Sequence, residues 1–75
     1  MFDYNKLIGR IIEKFGTRKA FAIAVGRSEN TISKKLSGKM AITTDDILKW
    51  SNNDFLDIPY LEIPEYFFKI KVQDN

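Results

Sequence analysis

An all-α fold is what this sequence predicts, on three observations. Apolar residues recur at three- and four-residue intervals, a Ser, Thr or Asp precedes each such stretch, and a glycine follows each of the first three. The 75 residues, 44% of them hydrophobic, are enough for one domain, 1–75, built around one small core. With no Cys and no His, disulfides, zinc sites, thiol nucleophiles and imidazole bases are excluded, so neither a metal site, a cofactor nor an enzyme activity is expected. No run of about 18 apolar residues occurs, and residues 1–10 mix charged and apolar side chains. A soluble protein of the cytoplasm, with no membrane partner, is the expectation.

The first helix is expected over 4–15, where Tyr4, Leu7, Ile8, Ile11, Ile12 and Phe15 form one apolar stripe. Asp3 is its candidate N-cap and Gly16 its stop. Gly9 costs about 1 kcal/mol in a helix interior relative to Ala, so it is expected to admit another backbone at close range. The second helix is capped by Thr17 and runs to Val25, burying Phe21, Ala22 and Val25. Gly26 then supplies the positive backbone angle of a tight turn. Ser28 caps the third helix, which ends near Ser37 with Gly38 as its stop.

Thr43 or Thr44 caps the fourth helix, whose first turn holds Asp45 and Asp46 at the positive end of the helix dipole. Ile47, Leu48 and Trp50 are its expected apolar side. Asn52, Asn53 and Asp54 break the pattern, and Pro59 and Pro64 leave room for a short helical turn between them. The C-terminal tail, 66–75, contains an alternating stretch from Phe67 to Val72 that fits either an extended segment or a short strand.

Charge divides along the chain. Residues 1–40 carry nine Lys or Arg against three acids, a net of +6, and residues 41–75 carry three Lys against seven acids, a net of −4. The basic half suits phosphates; the acidic half faces away from them or meets a partner.

The informative segment is a helix-turn-helix pattern over 17–37. A small Ala22 permits close crossing of the second and third helices, Gly26 makes the turn, and Ile32 with Leu36 fixes the third helix on the core. Its opposite face then presents Asn30, Ser33, Lys34 and Ser37. A helix with that face fits the DNA major groove, where Asn pairs with adenine, Lys donates to guanine and Ser contacts either. Asn30, Ser33 and Lys34 are the candidate base contacts. Glu29 either accepts from a cytosine amino group or serves as a first-turn carboxylate at the helix dipole. Thr17, Arg18 and Lys19 stand at a helix N-terminus suited to a phosphate, and Arg27, Lys35, Lys39 and Thr43 are the further candidate phosphate contacts.

These residues, together with Met1 to Tyr4, Leu7 to Ile11, Lys14 to Thr17, Ser28 to Lys39 and the run Ile63 to Phe68, resemble the lambda-repressor-like helix-turn-helix superfamily. Within it the chain looks like the small Cro-type regulators of temperate phages. The resemblance implies a compact bundle of about five short helices, binding of double-stranded DNA at operator half-sites as a homodimer, and a role as a transcriptional repressor in the lysis-lysogeny switch. Arg27 stands where related turns carry an apolar residue, and Ile23 is apolar on a face where they carry a polar one. With the acidic half and its Tyr60, Tyr66, Phe67 and Phe68, Ile23 motivates an alternative function: an antirepressor or modulator that binds a phage repressor and alters its DNA binding.

Overall fold

Alternation of buried and exposed positions at helical spacing produces α1 (Asn5–Phe15) in the computed structural model, which describes residues 1–72. Leu7 and Ile11 are fully buried; Tyr4, Ile8 and Phe15 pack against the core from its edge. Ile12, expected in the same stripe, lies on the flank of the helix and is exposed. Asp3 does not occupy the N-cap position, which falls to Tyr4. Its carboxylate nevertheless accepts the amide of Asn5 at 2.9 Å and so serves one of the unpaired first-turn donors. Gly16 ends the helix at φ 82°, its amide donating to the Ile12 carbonyl at 2.8 Å.

The next two helices are capped as their sequence implies. Thr17 Oγ1 accepts the Ala20 amide before α2 (Arg18–Val25), and Ser28 Oγ accepts the Thr31 amide before α3 (Glu29–Leu36). Between them Gly26 adopts a left-handed conformation at φ 76°, and the Arg27 amide returns to the Ala22 carbonyl at 2.9 Å. Phe21, Ala22 and Val25 on α2 and Ile32 and Leu36 on α3 are buried together in one core.

Helix α4 (Thr44–Ser51) begins with a reciprocal cap: Thr43 Oγ1 accepts the Asp46 amide while the Asp46 carboxylate accepts the Thr43 amide. Ile47 and Trp50 face the core, but Leu48 points outward and is exposed, because the buried side of this eight-residue helix is taken by Asp46, Ile47 and Trp50. Beyond it the 52–58 loop is drawn back onto the bundle. Leu56 and Ile58 amides donate to the Trp50 and Ser51 carbonyls, and the Arg10 guanidinium donates to the Leu56 and Asp57 carbonyls, each at 2.8 Å. Two buried apolar side chains, Leu56 and Ile58, therefore come from a loop.

The last third differs from its expected form. A 3-10 turn (Tyr60–Glu62) does lie between the prolines, but α5 (Ile63–Phe67) follows it directly and carries Pro64 within its first turn, where the missing amide costs no helical hydrogen bond. Tyr66 and Phe67, assigned to the tail from the sequence, are thus helical and buried. Among the described residues of the tail, Ile70 forms an antiparallel bridge with Phe2; the end of the expected tail, 73–75, lies outside the described residues.

Rings tie these elements together. Phe21 and Trp50 meet edge to face with centroids 5.1 Å apart, Phe15 approaches Phe21 at 5.4 Å, and Phe67 lies 6.4 Å from Trp50. One aromatic chain thereby runs from the end of α1 through α2 and α4 to α5.

Gly9 lies in α1 with nothing within 4 Å of the position a Cβ would occupy, so it admits no neighbouring backbone, contrary to the sequence expectation. Its only consequence is conformational freedom in the unfolded chain. Gly9→Ala is therefore expected to stabilise the protein by about 0.5–1 kcal/mol, read as a higher urea midpoint at unchanged slope. A lower midpoint would show that the position has a contact.

Candidate functional site

The outward face of α3 presents the candidate base contacts in order. Glu29 and Asn30 are exposed in its first turn, Lys34 is exposed one turn on, and Ser33 is half-buried between them. Ser37, exposed at the C-cap, turns its hydroxyl inward to donate to the Lys34 carbonyl at 3.1 Å. Glu29 stands as the one first-turn acid of α3, the place where the helix dipole favours a carboxylate.

The candidate phosphate contacts divide into two groups. Lys19, Arg27 and Lys39 are exposed and Arg18 is half-buried, so these cations border the α2–α3 unit from the start of α2 to the turn after α3. Thr17 and Thr43 are exposed too, but both hydroxyl oxygens already accept a backbone amide as helix caps.

Lys35 is different. Although expected at a phosphate, it is buried, and its ammonium donates to the Asp46 carboxylate, itself buried at the start of α4. The reason lies in helical spacing: Lys35 adjoins Leu36 on the inward side of α3, and only the neighbouring acid makes that placement tolerable. Lys35 is thus a structural ion that locks α3 to α4. Burial alone would raise the Asp46 pKa, but the Lys35 ammonium and the Thr43 amide and hydroxyl outweigh it and hold the carboxyl below its ordinary value.

Two further cations have internal roles that the sequence did not announce. Lys49 Nζ donates to the Val25 carbonyl at 2.9 Å, capping the end of α2 from α4. Arg10 clamps the 52–58 loop and pairs with Glu13 at 2.6 Å. A basic residue near a helix end is too common a pattern to reveal a specific long-range acceptor.

A second surface lies at the other end of the chain. Tyr60 and Leu61 on the 3-10 turn are 82% and 88% exposed, and with Ile63, Pro64 and Phe68 they line a shallow cavity of about 280 Å³. The exposed apolar side chains lie between two prolines where no periodic pattern forecasts their direction. Of the aromatics first considered for an interface, Tyr66 and Phe67 belong to the core and Tyr60 and Phe68 to the surface. Ile23 on α2 is also exposed.

Among the described residues no cluster of acidic side chains suited to a metal ion occurs, and no helix is long and apolar enough to cross a membrane. Fold and surfaces together define a small five-helix bundle with a polar helix face bordered by cations and a separate apolar surface.

Over residues 1–70 the chain matches the family described as "Protein of unknown function (DUF739)", and it belongs to that family. Among solved structures it is similar to the solution structure of the modulator of repression (MOR) of the temperate bacteriophage TP901-1 from Lactococcus lactis. The two share 44% sequence identity and superpose with a TM-score of 0.77, over 93% of this chain and 95% of that one. No curated protein matches the chain.

The Lys35–Asp46 pair gives two expected outcomes. Lys35→Ala leaves a buried carboxylate without its counter-ion and should cost about 3–5 kcal/mol in urea unfolding; a loss as small as that of a surface pair, under about 1 kcal/mol, would place Lys35 in solvent. Because the folded Asp46 pKa lies below its unfolded value, its contribution is present above about pH 4 and disappears as the pH falls through the folded value. Asp46→Asn should therefore flatten the acid side of the stability profile below about pH 4. Equal acid losses in the two proteins would rule out the role assigned to this carboxylate.

Proposed function

We propose that this chain acts in the regulatory switch of a temperate phage, as a modulator that binds the phage repressor and alters its hold on operator DNA. The likeness to the TP901-1 modulator of repression carries this reading, because it is 44% identical and spans nearly all of both chains. The exposed apolar surface of Tyr60, Leu61 and Phe68 supports it. Contiguous apolar area of this kind is where small soluble proteins meet partners. The reading takes the chain as one non-enzymatic domain working in the bacterial cytoplasm.

A second reading, sequence-specific DNA binding of the Cro type through a helix-turn-helix formed by α2 and α3, is favoured by one observation. Asn30 and Lys34 face outward on α3 with Arg18, Lys19, Arg27 and Lys39 around them. Loss of Lys35 to the interior removes one expected phosphate contact but leaves this border in place. Homodimer binding to operator half-sites belongs to this second reading.

Mobility shifts of operator DNA with the repressor, with and without this chain, test both. The modulator reading expects the chain to change the repressor's apparent operator affinity at least tenfold, about 1.4 kcal/mol, and Leu61→Asp to abolish that change. An unaltered repressor shift at saturating modulator would defeat it. The DNA reading expects a salt-sensitive complex with the chain alone, base preference relaxed in Asn30→Ala and all duplexes bound more weakly by Arg18→Ala. Absence of any complex at low salt removes this second reading and leaves the first standing.

A further inference from the structure

The two ends of the described chain meet in a minimal two-stranded ladder. The Asp3 amide donates to the Lys69 carbonyl at 2.7 Å and the Lys71 amide to the Met1 carbonyl at 3.0 Å, on either side of the Phe2–Ile70 bridge. In antiparallel geometry a pair flanked in this way is not hydrogen-bonded to itself, so the amide and carbonyl of Ile70 point away from residues 1–3. Neither group has a backbone partner among the described residues. Met1 and Phe2 adjoin the end of α3 and the loop at Ala41 and Ile42, with Lys71 beside Leu36 and Ser37, whereas Ile70 itself is exposed.

The Ile70 edge has a patterned sequence. Ile70 and Val72 share one face and are 64% and 79% exposed, while Lys69 and Lys71 occupy the other face and are exposed. Phe68, two residues before Ile70, is half exposed and borders the cavity of about 280 Å³ formed with Tyr60, Leu61 and Pro64. Backbone groups without a partner, two residues from a side chain that lines an apolar cavity, supply the two requirements of strand addition: the main chain gives affinity and the pocket selects a side chain.

We propose that the Ile70 edge receives an added antiparallel β-strand from the phage repressor, an extended segment in which acidic residues flank an apolar one. The charges choose this occupant. A second copy of the same edge would set lysines against lysines, and like charges directly opposite are unfavourable; edge lysines are a common guard against self-pairing. Acidic residues facing Lys69 and Lys71 remove that guard, and the apolar residue between them lies beside Ile70, within reach of the Phe68 pocket. The inference rests on the repressor-binding reading and adds to it the mode of contact.

The test uses the whole chain and the intact repressor. Ile70→Pro deletes the outward amide while leaving both internal ladder bonds chemically possible, and Ile70→Thr keeps the amide as a control. Titration calorimetry is expected to show at least tenfold weaker repressor binding for Ile70→Pro and near-parental binding for Ile70→Thr. Hydrogen exchange of the Ile70 amide in the parental chain should slow at least tenfold on complex formation, a readout independent of any effect of proline on folding. An unprotected Ile70 amide in a well-formed complex overturns strand addition and leaves repressor binding intact. No complex with the parental chain overturns both. A parental chain that sediments alone as a dimer, and as a monomer in Ile70→Pro, overturns the choice of occupant.

Discussion

The buried pair between Lys35 and Asp46 is the constraint on which the arrangement of this bundle depends. Each partner alone would carry an uncompensated charge into the core, and the pair ties the end of α3 to the start of α4. Asp46 satisfies two demands at once, because the same carboxylate closes the capping box with Thr43. The end of α3, the 37–43 connection and the first turn of α4 are consequently one joint. A hydrophobic pair of equal volume would pack as well, but it would not specify which turn of α3 meets the start of α4.

Around that joint the rest of the fold is held by apolar contact. Trp50 stands between Phe21 and Phe67, so α4 mediates between the N-terminal helices and α5. The Lys49 contact to the end of α2 and the Arg10 clamp on the 52–58 loop hold the segments on either side of α4 from outside the core. In both cases a long side chain satisfies carbonyls that a helix end or an irregular loop would otherwise leave exposed. The left-handed Asp57, at φ 51°, is held in that loop by Arg10 through its carbonyl.

Local signals were the legible ones. Thr17, Ser28 and Thr43 as caps, Gly16 and Gly26 as stops, and Ile32 and Leu36 as buried residues all follow from rules that operate within a turn or two of helix. What could not be read depends on distant partners. Helical spacing from Ile32 puts Lys35 on the inward side of α3, but the acid that makes this placement tolerable, Asp46, lies eleven residues away on another helix. Tyr66 and Phe67 read as tail because α5 is only five residues long, too short for a periodic pattern, and carries a proline in its first turn. Leu48 is apolar and by residue type belongs inside, but the register set by Asp46 and Trp50 turns it out. The same limit applies to the surfaces: the α3 face could be laid out from helical spacing, but the exposure of Tyr60 and Leu61 follows from a 3-10 turn between prolines.

Separation of the two surfaces matters for how a modulator could work. The cations that border α3 come from the basic first half, and the apolar surface with its Ile70 edge comes from the second. Neither surface uses a side chain that the Lys35–Asp46 joint consumes. On the proposed reading, a repressor seated at Tyr60, Leu61 and Ile70 uses residues other than Asn30 and Lys34, which are exposed on α3. A modulator built in this way need not bind operator DNA strongly by itself. Two or three weak phosphate contacts, made effective by tethering to a DNA-bound partner, would change the repressor's occupancy through local concentration. The internal role of Lys35 fits that reading: a cation paired with Asp46 orients α3 and is not free to meet a phosphate.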